Sequence, residues 1–581
     1  MDRRSFVGLG LSTPAALQLA QQGPPREEPV ESMTPDATPA IALNHLGFTP
    51  KSRKTVILRA AGEDAPSNFT IRDIAGGFRR TLPLQPFASD VIQCVTGDFS
   101  DIDRQGMYQV SIGEERSVPF FIRPDVWRRT LPKAVGYYRY QRCGVEVPGV
   151  HPACHLDDAR RRDNGQHVDL TGGWHDAGDL RKWMDATLIN GIGLLRLARN
   201  LGANWDAAGS GLAPILEEVR WGNRYFLKMQ DADGLVWADT AGGVNGDNSD
   251  NHWTDNQIGT DDDRYLNPAK TGRNQALFVC AEAMLAQAFH TADAAYAQTC
   301  RTAAARCFRA ADDRFLSSAH LAQQSTLDLS WWLIAALEMN EIPKALAIAA
   351  ELLALQTTEF IANQKEVRGF WRASDRNRVP YTDAVHSALP ALALLELARA
   401  QPKHPDAPKW RDAVRMHLEE YVLPMTAHSA YAVMPFGVFL GSPTPETYRP
   451  LAGELTYRYF LPVRKQFWWL GTTSHLECYA VLLAEAARAF ENDRYYALAL
   501  RQLEWIMGAN PFGACLMTGE GMRNPYPHSR FVGLIPGGIM NGIAGNTKDA
   551  PILDTENGFD WRTTEYWSPH VAYYLWAVSL L

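Results

Sequence analysis

From position 180 to the C-terminus, amphipathic helical runs follow one another with few breaks, and this succession constrains the fold more than any other feature of the chain. Apolar residues recur at three- and four-residue spacing over 180–201, 212–229, 271–289, 292–310, 328–339, 342–355, 382–400, 409–423, 473–490, 493–507 and 563–581. Each run must bury an apolar stripe against neighbours. Helices of this length, joined by alternating short and long loops, predict a toroid of helical hairpins whose long loops gather on one face.

The N-terminal part has a different period. Short alternating runs at 54–59, 68–73, 91–95, 106–112 and 117–122, punctuated by Gly76-Gly77 and Gly113, predict a small antiparallel sandwich over 40–124. Residues 125–170 are rich in Arg, His, Cys and Pro without clear periodicity, which suits a connector pressed onto the helical domain that runs to 581. Arg3-Arg4 ahead of a weakly apolar, small-residue segment marks 1–20 as a twin-arginine-type export signal, too short for a membrane anchor, and predicts a periplasmic or secreted protein. Residues 21–39, with Pro24, Pro25, Pro29, Pro35 and Pro39, are expected to be a flexible linker. A net charge of -8 with no long basic run argues against nucleic-acid partners. The sequence does not specify an oligomeric state.

Polar chemistry concentrates in the segments between helices. In Thr171-Gly172-Gly173-Trp174-His175-Asp176-Ala177-Gly178-Asp179, two carboxylates sit among small residues ahead of a helical run. Taken alone, the stretch allows two readings: caps of a helix N-terminus, or a site that a bulky ligand approaches closely. The loop 239–267 carries Asn245, Asp247, Asn248, Asp250, Asn251 and Asp261-Asp262-Asp263, oxygen donors suited to calcium in a pattern unlike an EF-hand loop. A solvated loop is the other reading. Near the C-terminus, Pro527-His528-Ser529-Arg530 offers donors for hydroxyl groups, and Asp560-Trp561-Arg562-Thr563-Thr564-Glu565-Tyr566-Trp567 places a carboxyl among aromatic rings at the start of the final run. Burial against rings raises a Glu pKa, as a proton donor requires. Aromatic residues make up 10% of the chain, with 17 Trp, and serve either as core or as platforms for sugar rings. The eight cysteines are too few to act as a disulfide scaffold for an exported chain of 581 residues.

Together these stretches resemble glycoside hydrolase family 9, inverting β-glycanases with an (α/α)6 barrel, in the branch with an N-terminal immunoglobulin-like β-sandwich. The resemblance rests on Trp174 to Asp179, Pro527 to Arg530 and Thr564-Glu565, supported by Ile41 to Phe48, Gly97-Asp98-Phe99-Ser100, Gln141 to Gly144, His151 to His155 and Trp221 to Gln230. It implies a mainly α chain, with Asp179 as general base, Asp176 positioning the attacking water and Glu565 as general acid. Inversion needs one protonated and one ionised carboxyl about 6.5 to 9.5 Å apart, with a water between. The resemblance implies His528 and Arg530 as substrate hydrogen-bond donors, and Trp174, Trp371 and Tyr566 are the stacking candidates. It also implies a structural zinc on Cys143, Cys154, His155 and His175; the other reading of the two cysteines is a disulfide or free thiols. One departure stands out: the family commonly has two histidines where this chain has His528-Ser529.

The leading expectation is an endo-β-1,4-glucanase acting on cellulose-type glucans. The alternatives are an exo-acting β-glucosidase or exo-β-glucosaminidase, a non-catalytic glycan-binding relative, and a zinc-dependent hydrolase. A closed Cys2His2 shell has no open position for water, which weighs against the last.

Overall fold

The computed structural model describes residues 41–59, 65–202, 214–245, 247–361, 365–375, 378–442, 446–463 and 470–581. The expected leader 1–20 and linker 21–39 lie outside these residues.

Two sheets open the structure. Ile41–Ala42, Thr55–Arg59, Cys94–Asp98 and Gln85–Phe87 are neighbours in that order in one. Gly47–Phe48, Phe120–Ile122, Gly106–Ile112, Asn68–Asp73 and Arg79–Pro83 form the other, with Glu115–Arg116 added to Gly106–Ile112. Alternation directs the inner faces: Phe69 and Ile71 from one strand meet Tyr108, Val110 and Ile112 from the next, around Phe48, Phe99 and Phe120. The strand expected at 91–95 begins at Cys94 instead. Arg79–Pro83 and Gln85–Phe87 escaped the sequence reading because they are largely exposed and carry no apolar alternation.

The helical domain is a closed double ring. Among the described residues, Met184–Leu201, Gly272–Phe289, Thr326–Glu338, Leu389–Ala400, Thr473–Phe490 and Ser568–Ser579 are buried along most of their length, and each packs on the next. The sixth returns to the first, which closes the inner ring. Leu131–Tyr140, Ile215–Lys228, Ala294–Ala311, Ile342–Ala354, Ala407–His417 and Asp493–Ile506 pack outside them, giving the (α/α)6 barrel. A helix apolar on all sides belongs inside, while one with a single apolar stripe belongs outside. At the closure a Cβ on Gly193 would lie 2.7 Å from Ala572, so only glycine allows this approach. Asn200 Nδ2 donates to Ser579 Oγ at 2.8 Å across the same seam.

Several boundaries differ from the periodicity. The connector contains a helix, Leu131–Tyr140, which packs on the last inner helix. The run from 180 becomes helical only at Met184, because Lys182–Trp183 pairs as a strand with Asp239–Thr240. The run from 382 is helical from Leu389. The final run divides into Trp561–Thr564 and Ser568–Ser579, leaving Glu565 in extended conformation between them. The sandwich rests on the barrel through His45, whose N–H donates to the Met507 carbonyl at 2.8 Å and whose Nδ1 accepts from the Met522 N–H at 3.2 Å. Among the described residues no helix is long and apolar enough to cross a membrane.

Candidate active site

Three segments distant in sequence are laced together by backbone hydrogen bonds. Arg530 N–H donates to the Gly178 carbonyl at 2.8 Å, Ser568 N–H to the Asp176 carbonyl at 2.7 Å, and Asn541 N–H to the Glu565 carbonyl at 2.8 Å. Gly178 has to be glycine, since its Cβ would stand 2.6 Å from the His528 carbonyl oxygen. The result is a cavity of about 460 Å³ lined by Asp176, Asp179, Glu565, His528 and Arg530, together with Arg181, Asn248, Asn251, Asn541 and the rings of Trp183, Trp561 and Trp567.

Each carboxylate has its own setting. Asp176 is buried; its Oδ1 accepts from the Trp183 N–H at 3.1 Å and its Oδ2 from the Trp567 indole at 3.0 Å. Burial, then the charge of Asp179, push it up to about 7. Asp179 Oδ2 accepts from the side-chain amides of Asn248 at 2.9 Å and Asn251 at 3.0 Å, while among the described residues Oδ1 meets only the Arg181 N–H at 3.3 Å. Arg530 Nη2 in turn donates to Asn251 Oδ1 at 3.0 Å. Glu565 is 9% exposed, its Oε1 has no partner among the described residues, and burial, then the charges of Asp179 and Asp176, hold it well above the ordinary Glu range. Neither aspartate caps a helix: both precede the strand Lys182–Trp183, and Trp183 is the residue before the helix.

The stacking candidates need correction. Trp174 is fully buried between Tyr138 and Phe226, with its indole on Glu218 Oε1 at 2.9 Å. Trp371 is buried with its indole donating to the Leu352 carbonyl, and Tyr566 is buried against Tyr137 with its hydroxyl on Ser529. None of the three lines the cavity, because a ring closed in by core has no face left for a sugar. The rings that do line it are Trp183, Trp561 and Trp567. Trp183 and Trp567 stack on each other, with centroids 6.1 Å apart. Trp561 and Trp567 lay within a stretch already marked by its aromatics. Nothing in the pattern of the sequence pointed to Asn248 or Asn251 as partners of Asp179.

Behind the loop that bears Asp176 and Asp179, Cys143, Cys154, His155 and His175 are buried with their ligand atoms all within 4.8 Å of one another. Cys143 Sγ lies 3.6 Å from His155 Nδ1, Cys154 Sγ 3.9 Å from His175 Nε2, and the two imidazole nitrogens 3.3 Å apart. A tetrahedral zinc with ordinary bond lengths spaces its ligand atoms by about 3.3 to 3.8 Å, so the set fits that ion. His155 Nε2 donates to the His252 carbonyl at 3.0 Å, which leaves Nδ1 as the metal-facing nitrogen. Burial pushes His175 down to about 4, keeping it neutral. Both cysteines are free thiols, not a disulfide, as are the other six.

Comparison with known proteins places this architecture. The family model described as glycosyl hydrolase family 9 matches residues 127–535, most of the chain. The chain belongs to glycosyl hydrolase family 9. A model described as a cellulase N-terminal ig-like domain matches residues 36–117. Among curated relatives, this family 9 chain is similar to a cellodextrinase of Butyrivibrio fibrisolvens, 28% identical over 34% of the chain and 39% of the relative. It is also similar to endoglucanase C of Cellulomonas fimi, 24% identical over 87% of the chain and 46% of the relative. Each match thus spans less than half of the curated relative's length. Among solved structures, a metagenome-derived family 9 endoglucanase shares the fold with a TM-score of 0.69, 22% identity and coverage of 93% of this chain and 98% of that one. A Zn-binding triple mutant of the family 9 endoglucanase J30 shares it with a TM-score of 0.67 and 22% identity, over 91% of this chain and 99% of that one.

Proposed function

We propose that this protein hydrolyses β-1,4-linked glucans with inversion at the anomeric carbon. The observation that carries the reading is the asymmetry of the carboxylates around one cavity: Glu565 is held protonated by burial with one oxygen free, while Asp179 turns its less-occupied oxygen away from its two asparagines. Glu565 gives its proton to the glycosidic oxygen as the bond breaks, and Asp179 takes a proton from the water attacking the opposite face. Asp176, anchored by two N–H donors, orients that water. His528 and Arg530 hold sugar hydroxyls, and the rings of Trp183, Trp561 and Trp567 supply apolar faces. The zinc held by Cys143, Cys154, His155 and His175 is structural: when bound it supplies rigidity, joining the connector to the loop that bears Asp176 and Asp179. Export through a twin-arginine signal is part of the same proposal.

A soluble β-1,4-glucan tests it. The expected result is a steep fall in viscosity with oligosaccharides released, the first-formed products being α-anomers by NMR; β-anomers would overturn inversion. A second reading is favoured by Asn248 and Asn251, whose loop reaches the general base from inside the cavity and narrows it. On that reading the enzyme trims chain ends, and monosaccharide release at constant viscosity would establish it in place of endo action.

A further inference from the structure

Glu565 sits in extended conformation between Trp561–Thr564 and Ser568–Ser579, and Asn541, outside both elements, holds its segment at two points. Asn541 Nδ2 donates to the Trp561 carbonyl at 2.8 Å, and the Asn541 N–H donates to the Glu565 carbonyl at 2.8 Å. The Trp561 carbonyl also accepts the Glu565 N–H at 3.2 Å, so both peptide groups of Glu565 are tied to Asn541 directly or through one oxygen. A carbonyl oxygen only accepts, so the amide nitrogen must face Trp561 and Oδ1 must face the other way. There Oδ1 accepts from His570 Nε2 at 2.8 Å. With its proton on Nε2, His570 accepts the Ser474 hydroxyl at Nδ1. Burial pushes His570 down to about 3, which keeps the ring neutral, as a ring that accepts at one nitrogen must be. The hydrogen bonds therefore run in one direction, from Ser474 through His570 and Asn541 to the Trp561 carbonyl, and all three side chains are buried.

This chain is rooted in the inner ring. Ser474 lies in the first turn of Thr473–Phe490 and His570 in the first turn of Ser568–Ser579, two inner helices that pack on each other. Thr473 Oγ1 donates to the Asn541 carbonyl at 2.9 Å, and a Cβ on Gly471 would stand 2.1 Å from that same oxygen, so the lead into the first of these helices packs directly on Asn541. We propose that Asn541, oriented by His570 and Ser474, is a positioning residue for the general acid, referring the backbone of Glu565 to two inner helices so that its carboxyl meets the glycosidic oxygen as the bond breaks. The proposal rests on the reading of Glu565 as proton donor.

The test compares two leaving groups in the full chain with its zinc in place. Hydrolysis of cellotetraose expels a sugar oxygen that must be protonated as it leaves, whereas 2,4-dinitrophenolate departs from its β-cellobioside without a proton. Asn541→Ala should lower kcat on cellotetraose by roughly 10- to 100-fold with a smaller change in KM, and leave the dinitrophenyl substrate within about 3-fold of the parent. Ser474→Ala, which removes a single hydroxyl, should show the same selective loss at smaller size and carries the comparison should Asn541→Ala not fold, with circular dichroism and melting temperature reporting on the fold. His570→Gln, whose amide can still donate to Asn541 Oδ1, should keep more of the cellotetraose rate than His570→Leu. Equal losses on both substrates in a folded variant, or cellotetraose hydrolysis at the parent rate by folded Asn541→Ala, overturn the proposal. Glu565→Gln is measured alongside: if it spares the dinitrophenyl substrate and Asn541→Ala does not, the positioning role fails alone, and if Glu565→Gln loses both substrates alike, the assignment of Glu565 as proton donor fails with it.

Discussion

Burial holds the carboxyl of Glu565, the proposed proton donor, above the ordinary Glu range. Its folded pKa lies above the unfolded Glu value of about 4.3, so its protonated form contributes stability that is complete below that value and is lost as pH rises through the folded value. Glu565→Gln removes the titration: kcat falls by about 10²- to 10⁴-fold, while the melting temperature exceeds that of the parent by a margin that widens from pH 4 toward alkaline pH. Rates and melts across pH check both halves. Asn251 acts differently, through the orientation of Asp179 and its own bond to Arg530. Asn251→Ala should lower kcat by roughly 10- to 100-fold with a smaller change in KM, the outcome expected when the proposed base, Asp179, loses its orientation. Steady-state kinetics separate the two parameters.

Among the elements, the seam between the first and last inner helices brings Asp176 and Glu565 into one cavity, since each lies just ahead of one of those helices. Gly193 sets the seam's spacing, with Ala572 backbone and Cβ where its own Cβ would go. Gly193→Ala should destabilise by about 1–3 kcal/mol through overpacking. Gly191→Ala is the comparison: its Cβ would stand 3.3 Å from the edge of the Phe226 ring and 4.0 Å from Val219, a milder approach to side chains rather than backbone, and alanine gains about 1 kcal/mol of helix propensity. Denaturant melts should therefore show Gly191→Ala losing less stability than Gly193→Ala. The helices themselves were legible in the sequence, and 473–490 coincides with the observed Thr473–Phe490. Boundaries failed where a tertiary partner intervened, as at Lys182–Trp183, where strand pairing with Asp239–Thr240 delays the helix.

For the molecule as a whole, the Cys2His2 cluster connects the 141–155 connector to the loop at 175 that bears Asp176 and Asp179. Cys154→Ser should lose bound zinc, by elemental analysis, and lower the melting temperature. Chelation should reduce activity only as fast as it unfolds the protein, since metal binding is coupled to folding; activity lost from a still-folded chain would point to zinc in the chemistry. By itself, the sequence determined the helical toroid, the small sandwich and the identities of Asp176, Asp179 and Glu565 as site candidates, because hydrophobic period and short motifs are local properties of a chain. Only the tertiary structure decided which aromatics face the cavity, that Asn248 and Asn251 sit on Asp179, and that Asn541 holds both Trp561 and Glu565. Burial and contact depend on which residues from distant segments fill the space around a side chain, and closing a ring of helices sets that packing far from each residue's own neighbours in sequence.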